Sequence, residues 1–166
     1  MSGGAAAVAA SKSKHDSPTI ENRRARHEYH ILDTLECGIV LIGSEVKSVR
    51  AGAISLGEGF VLIEGDPPQL RLHQVHIAPY DPAGVTAHDP TRPRTLLAHR
   101  REILRLARQV DAKGMTLVPL KLYFKNGFAK IVVGVARGKA EHDKRHDIAK
   151  REAQRDIDRA MSRRRQ

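Results

Sequence analysis

Cysteine is almost absent from the chain, since Cys37 is its single copy in 166 residues. One cysteine excludes a disulfide framework and any zinc site built from several thiolates, and it favours a reducing compartment. Tryptophan is missing, and tyrosine and phenylalanine contribute three residues each. So few aromatic rings argue against a broad base-stacking platform for single-stranded nucleic acid.

Long apolar runs are missing as well. No stretch approaches the roughly 18 apolar residues of a membrane span. Residues 1–10 lack the charged start and long apolar centre of a secretory signal. We therefore expect a cytoplasmic protein that makes no membrane contact. A chain of 166 residues with 40% hydrophobic content suits one modest domain with appendages.

Catalytic and cofactor motifs are not recognisable. The glycines between Gly52 and Gly59 have the wrong spacing for a phosphate-binding loop. His142 and His146 have a spacing that a metal ion can use on a helix, but the two adjacent cations between them oppose a divalent ion. The His142-Asp143 dipeptide also occurs in metal-dependent phosphohydrolases, so a nuclease that uses these two residues is an alternative. We expect a binding protein with no catalytic residues, no metal and no cofactor.

Positive charge is what the chain has in excess, with 29 Lys/Arg against 19 Asp/Glu and a pI near 10.2. The charge is unevenly distributed. Residues 27–91 carry three Lys/Arg against nine Asp/Glu, whereas residues 137–166 carry eleven against six. This asymmetry indicates one basic face and a polyanionic partner such as nucleic acid.

The basic segment at residues 137–166 contains no proline and predicts a helix from about His142 onward. Its large apolar side chains are Ile148, Ile157 and Met161, each worth roughly 1.5–3 kcal/mol if fully buried. Ordering the backbone costs roughly 1–2 kcal/mol per residue. The segment cannot form a core of its own, so we expect a tail that is partly disordered alone and helical on a polyanion. The alternative is a solvated charged helix without a partner.

The rest of the chain predicts a disordered leader at residues 1–20 and a β-rich body. Alternation and turn residues predict strands at Tyr29–Leu35, continuing through a bulge or bend at Gly38 to Ile42, and at Phe60–Glu64, Leu70–Ile77, Leu117–Phe124 and Phe128–Val135. A short helix capped by Ser44 and an amphipathic helix at Leu96–Val110 interrupt the strands, and prolines make residues 79–93 a loop.

These elements predict a mainly β fold, a small antiparallel β-barrel of the oligonucleotide-binding (OB) type at residues 21–136 with inserted helices, followed by a C-terminal basic helical tail at 137–166. A half-open sheet packed on the arginine-rich helix is the alternative topology. The basic run at Asn22–His27 is either a polar approach to the first strand or a phosphate contact.

Several short blocks resemble, in order, the signature segments of the bacterial SmpB family, the SsrA-binding proteins. They are Asn22–Tyr29, Glu45–Gly52, His76–Tyr80, Asp89–Arg92 with Leu96-Leu97, Tyr123–Lys125, Gly138-Lys139 and His142–Arg145. The Glu-Val-Lys-Ser and His-Asp-Lys-Arg blocks are the most specific. The resemblance implies an OB-type barrel that grips the tRNA-like domain of transfer-messenger RNA during trans-translation, the rescue of stalled ribosomes. It also implies a tail that lies in the empty mRNA channel of the small ribosomal subunit, at the decoding centre. We expect a monomer.

The resemblance also implies which residues make these contacts. RNA contacts are expected at Asn22, Arg24, His27, Glu36, Leu97, Lys125 and Lys130, and ribosome contacts at Gly138, Lys139, His142, Asp143, Lys144, Arg145 and Met161. Glu36 repels phosphate, so it is either an acceptor for base or 2′-hydroxyl donors or an internal partner of a nearby arginine. Leu97 is alternatively a core residue of the predicted helix. A general ribosome-associated RNA-binding protein is the alternative function.

Overall fold

A computed structural model of the chain describes residues 17–80, 88–111 and 114–163. These residues form nine strands and four helices. In chain order they are β1 (Ile20–Glu21), α1 (Arg23–Glu28), β2 (Tyr29–Ile39), α2 (Gly43–Arg50), β3 (Ile54–Ser55), β4 (Phe60–Glu64), β5 (Gln69–His73), β6 (His76–Ile77), β7 (Arg94–Leu97), α3 (Arg100–Val110), β8 (Met115–Lys125), β9 (Phe128–Gly138) and α4 (Glu141–Arg163). The predicted mainly β fold with a C-terminal helix is confirmed.

The strands pair into an antiparallel ring. The sheet runs β8–β4–β5–β7–β2–β9, and β9 pairs again with β8. The long β8–β9 hairpin turns at Asn126-Gly127, both with positive φ, as the Asn-Gly signal predicts. Between β4 and β8 the ring closes through the pairing of Val61 with Leu117. β1 extends the sheet beside β8, where Ile20 pairs with Leu122.

Strand alternation places the core inside this ring. On β2, Leu35, Cys37 and Ile39 are buried, while Glu36 between them is exposed. The matching β9 residues, Ile131 among them, complete the same apolar cluster. Burial raises the pKa of the Cys37 thiol to about 12, which keeps it protonated and chemically inert.

The predicted helix at Leu96–Val110 is wrong in its first turn. Leu96 and Leu97 belong to β7, where Leu96 faces the core and Leu97 faces solvent. The helix α3 begins at Arg100, after His99 in an extended conformation whose N–H donates to the Glu102 carboxylate. Leu96 and Leu97 continue the apolar stripe of α3 in the sequence. Pairing of β7 with both β5 and β2 nevertheless makes them part of a strand.

Two predictions about glycine and capping also fail. Gly38 is not a bulge, because it pairs with β9 on one side and β7 on the other, and the register shift of β2 lies between Ile31 and Asp33. Ser44 does not cap α2, since it lies inside the helix. The N-cap residue is Ile42, whose N–H donates to the Glu45 carboxylate.

The remaining differences are at element ends. The strand predicted at Leu70–Ile77 is two strands, separated where Gln74 has a φ of 56°. The predicted leader loses Ile20 to β1, and residues 1–16 of that leader lie outside the described residues, as do residues 81–87 of the predicted loop. The basic run that follows is a short helix, α1, which local sequence did not indicate.

Candidate nucleic-acid interface

The outer face of the ring carries a row of side chains across four neighbouring strands. Leu97 of β7 pairs with Gly38 of β2, Gly38 with Lys130 of β9, and Lys130 with Tyr123 of β8. Residues directly opposite in antiparallel strands project from the same face. A surface groove follows this row, and we call it the β2 groove; its lining residues are Glu36, Gly38, Leu97, Ala98, His99, Glu102 and Lys130.

The floor of the β2 groove depends on glycine at position 38. A Cβ atom placed there would lie 3.3 Å from the Leu97 Cβ, tighter than ordinary van der Waals contact. Leu97 therefore extends over Gly38 and remains 58% exposed. It is an apolar surface that a partner can cover, which rules out the alternative of a core residue on a helix.

Glu36 lies in the β2 groove among cations. It accepts a hydrogen bond from the Tyr123 hydroxyl, and its Oε1 is 3.9 Å from the Lys125 Nζ. The Tyr123 hydrogen bond, together with the charges of Lys125, Lys130 and Lys121, holds the pKa of Glu36 below its usual range. The same hydrogen bond raises the pKa of Tyr123 to about 12. Glu36 thus has an internal partner, but that partner is a tyrosine rather than the expected arginine.

The basic run at residues 22–27 forms a second surface on α1. Arg24 is exposed and pairs with two carboxylates, Glu28 at 2.9 Å and Glu58. The Glu28 hydrogen bond and charge raise the pKa of Arg24, so the guanidinium stays charged. His27 is half-buried on the same helix. A phosphate that binds Arg24 has to compete with both carboxylates.

Asn22 is buried, and its amide is fully engaged inside the protein. Its Nδ2 donates to the carbonyl oxygens of Leu56 at 3.0 Å and Pro119 at 2.9 Å, and its Oδ1 accepts from the Ala25 N–H at 3.0 Å. Asn22 therefore caps α1 and ties it to β8 instead of facing a ligand. The family resemblance implied an RNA contact for Asn22, and the sequence did not indicate that this side chain is buried.

The two surfaces lie at different places along β2. α1 ends at Glu28, next to the start of β2, whereas Glu36 is seven residues beyond Tyr29. At about 3.3 Å per residue, these two positions on β2 are about 23 Å apart. Arg24 and His27 consequently do not join the groove that brings Glu36, Leu97 and Lys130 together.

A buried ionic cluster joins the Glu45 block to the Arg92 block. Glu45 and Arg94 are fully buried, and Glu45 accepts from Arg92 at 2.6 and 2.8 Å and from Arg94 Nε at 2.8 Å. Burial alone would raise the pKa of Glu45, but the hydrogen bonds from Arg92, Ile42 and Arg94 outweigh it and lower that pKa. Arg94 also donates to the carbonyl oxygen of Val75 at 2.7 Å.

This cluster was not predicted from the sequence, although a signal was present. Glu45 shares a helical face with Ser48 and Val49, both buried, so a charged residue stands on the apolar side of α2. The cluster positions Arg94 at the start of β7 and hence Leu97 at its end. Glu45, the first residue of the specific Glu-Val-Lys-Ser block, therefore acts indirectly on the β2 groove by holding β7 in position.

The predicted tail residues differ in their exposure. His142, Arg145 and Met161 are exposed, and Lys144 is half-buried. The Lys139 side chain, in contrast, is 7% exposed and bonded to Asp147, while Asp143 lies 3.4 Å from the His30 Nε2. Gly138 ends β9, opposite Tyr29.

Among residues 17–80, 88–111 and 114–163, no group of three or more His, Cys, Asp or Glu side chains is arranged to hold a metal ion. In the same part of the chain, no helix is long and apolar enough to cross a membrane.

Comparison with known proteins agrees with the sequence blocks. The family model described as "SmpB protein" matches residues 19–163. The "SsrA-binding protein" of Chloroflexus aurantiacus is 56% identical over 157 residues, which are 94% of this chain and 97% of that protein. The "SsrA-binding protein" of Thermobifida fusca is 56% identical over 145 residues, 87% of this chain and 89% of that protein.

A solved structure is similar over most of the fold. It is described as "tmRNA-SmpB: a journey to the center of the bacterial ribosome", and one of its chains matches with a TM-score of 0.63 and 49% sequence identity. The match covers 75% of this chain and 86% of the other.

Proposed function

The chain belongs to the SmpB family, and from that premise we propose that it binds the tRNA-like domain of transfer-messenger RNA and delivers it to stalled ribosomes in the cytoplasm for trans-translation. The observation that carries the proposal is the β2 groove. It unites Glu36, Leu97 and Lys130, three residues that the family resemblance assigns to RNA contact, on the outer face of one ring of strands. The protein acts by binding and performs no catalysis of its own.

The body, residues 21–136, is a closed barrel of the OB type in this proposal. The support is the cyclic order of β8, β4, β5, β7, β2 and β9, in which each strand pairs with two neighbours. A closed barrel presents its outer residues on a rigid surface, because its strands have no free edge along which to slip. The β2 groove then has a fixed shape to which a folded RNA can fit.

In the β2 groove, and beside it at Lys125, the side chains have complementary roles. Lys125 and Lys130 neutralise phosphates, and Leu97 packs against a base or ribose. Glu36 stays ionised and accepts hydrogen bonds from base or 2′-hydroxyl donors, which gives selectivity that phosphate contacts lack. Outside the groove, Arg24 and His27 bind a second part of the RNA, and Asn22 contributes by holding α1 in place.

The tail, residues 137–166, enters the empty mRNA channel at the decoding centre of the small subunit. The exposed cations of α4 face the channel, and Met161, 64% exposed, supplies an apolar contact there. His142, Lys144 and Arg145 lie nearest the body and are the residues proposed to contact the decoding centre. The protein binds as a monomer in this scheme.

A binding titration tests the RNA partner. We expect the full-length protein to bind a tRNA-like fragment more tightly than an unstructured RNA of the same length, at matched salt, because the groove fits a folded surface. Equal affinities would contradict the proposal and favour a general RNA-binding protein.

Deleting the tail tests the division of roles. Removing residues 138–166 is expected to leave affinity for the tRNA-like fragment intact and to abolish tagging of stalled chains in a reconstituted translation assay. Loss of both activities together would contradict the separation of body and tail.

A further inference from the structure

The junction between β9 and α4 is held to the body by main-chain contacts. Gly138 is the last residue of β9 and pairs with Tyr29. The next residue, Lys139, donates its N–H to the Glu28 carbonyl oxygen at 2.8 Å. The backbone is therefore fixed up to two residues before the helix begins.

The Lys139 side chain adds a second attachment. Only 7% of it is exposed, and its Nζ donates to the Asp147 Oδ2 and to the Arg26 carbonyl oxygen at 3.2 Å. An ammonium group removed from water is strongly destabilising unless it is paired. Asp147 is two turns into α4, so this pair ties the second turn of the helix to α1. The Lys139 hydrogen bond lowers the pKa of Asp147 and so favours the carboxylate form that accepts it.

Asp143 makes a third attachment one turn earlier. Its Oδ2 lies 3.4 Å from His30 Nε2 on β2, and its Oδ1 lies 3.2 Å from His142 Nδ1. The His30 contact is the main cause of the lowered pKa of Asp143. Asp143 and Asp147 are four residues apart and thus share the face of α4 that is turned to the body.

Past this point the helix leaves the body. From Ile148 to Ser162, every side chain is classed as exposed. At 1.5 Å per residue, this free part is about 22 Å long. A rotation of about 10° at its root would move its tip by about 4 Å, on the scale of one helical turn. The contacts at Lys139 and Asp147 therefore control where the distal cations lie.

We propose that Lys139 and Asp147, supported by Asp143 and His30, form an intramolecular clamp that fixes the direction in which α4 leaves the body. Lys139, Asp143 and Asp147 act as positioning residues, and the nucleic-acid contacts belong to the outward cations. The importance of this direction for ribosome rescue rests on the proposed function, whereas the clamp itself does not.

Pulsed electron paramagnetic resonance on the full-length protein tests the clamp. Spin labels are attached at Leu62→Cys on the outer face of β4 and at Ile148→Cys, the exposed residue directly after Asp147, so that the distance reports the root of α4 and does not depend on the tail beyond it. Buried Cys37 does not compete for the label. We expect a narrow distance distribution in the labelled reference, broadened about twofold by Asp147→Asn. The matched control, Asp156→Asn, removes the same charge from the free part of α4 and leaves the distribution narrow.

A double variant checks that the two residues act as one unit. The broadening in Lys139→Met/Asp147→Asn is expected to equal that of Asp147→Asn alone, because the Lys139 ammonium group holds α4 only through Asp147. The clamp is refuted if the labelled reference is already as broad as Asp147→Asn, if Asp156→Asn broadens the distribution equally, or if the double variant is broader than Asp147→Asn.

Function is measured on the same variants. We expect Asp147→Asn to bind the tRNA-like fragment normally and to reduce tagging on the order of tenfold, as misplaced groups do elsewhere, with Asp156→Asn close to the reference. Equal loss in both variants would assign the effect to charge and refute the positioning role. Failure of the reference protein to bind the fragment would refute the proposed function and leave the distance measurement intact.

Discussion

Replacing Glu45 with glutamine should be among the most destabilising single changes in the protein. The carboxylate is fully buried and receives four hydrogen bonds, three of them from Arg92 and Arg94 and one from the Ile42 N–H at 3.0 Å. Glutamine keeps the shape but replaces one oxygen with an NH₂ group that points at donors. Arg94, which has no exposed surface, is then left without its counter-charge.

The expected loss follows from that unpaired cation. Removing one partner of a buried ion pair costs about 3–5 kcal/mol. Domains of this kind unfold with about 5–15 kcal/mol, so at least about a fifth of the free energy of unfolding is at risk. Urea denaturation followed by circular dichroism measures this as a lower midpoint with an unchanged m-value.

The matched control is Glu58→Gln, which removes the same charge from an exposed pair. Glu58 is 73% exposed beside Arg24, where solvent screens the interaction. We expect its midpoint to stay within the error of the measurement. Equal effects of the two substitutions, or a loss at Glu45 below about 1 kcal/mol, would refute the view that the buried cluster stabilises the fold.

Three further outcomes are expected. Because the pKa of Glu45 is lowered by folding, its ionised form stabilises the protein above the unfolded pKa, and this stabilisation is lost as pH falls through the folded pKa. Urea midpoints should therefore be constant from pH 7 to pH 5 and fall below about pH 4. A steep decline between pH 7 and pH 6 would contradict this. Lys130→Ala should weaken RNA binding and make the slope of log K against log salt concentration shallower by about 0.7–0.9. Arg71→Ala on β5 should change neither the affinity nor the slope. Gly38→Ala should displace the leucine opposite and weaken RNA binding by about 1 kcal/mol, whereas Gly43→Ala, whose added Cβ meets nothing within 4 Å, should not; equal affinities in either pair would count against the groove.

The sequence predicted those elements whose signal is local. Period-two alternation identified most of β2, β4, β8 and β9, and the Asn126-Gly127 pair located the hairpin between the last two. The absence of proline after Gly138 predicted the helix α4. Each of these depends on neighbouring residues and not on a distant partner.

The errors occurred where a distant partner decides. Leu96 and Leu97 fit the stripe of α3, but pairing with β5 and β2 makes them a strand. In the sequence Asn22 is one more polar residue in a basic run. In the structure it is buried, and its amide donates hydrogen bonds to two carbonyl groups far along the chain. Glu45 meets Arg94 across 49 residues, and no local pattern reports such a pair. The family resemblance supplied the site residues, and geometry then separated groove residues from supporting ones.

The main-chain pairing of β2 with β9 has one more consequence. The strand runs from the root of α4 at Tyr29 to the β2 groove at Glu36, so the number of residues between them sets the distance from the proposed RNA-binding groove to the tail. Lengthening the turn at Gly65–Pro68, which lies outside β2, would leave this distance unchanged. Inserting a single residue midway along β2 would turn Glu36 toward the core and would also shift the tail relative to the β2 groove. The length of β2 therefore fixes the distance between the groove and the tail. We expect this distance to be kept when side chains on β2 change and to be lost when the number of residues in β2 changes.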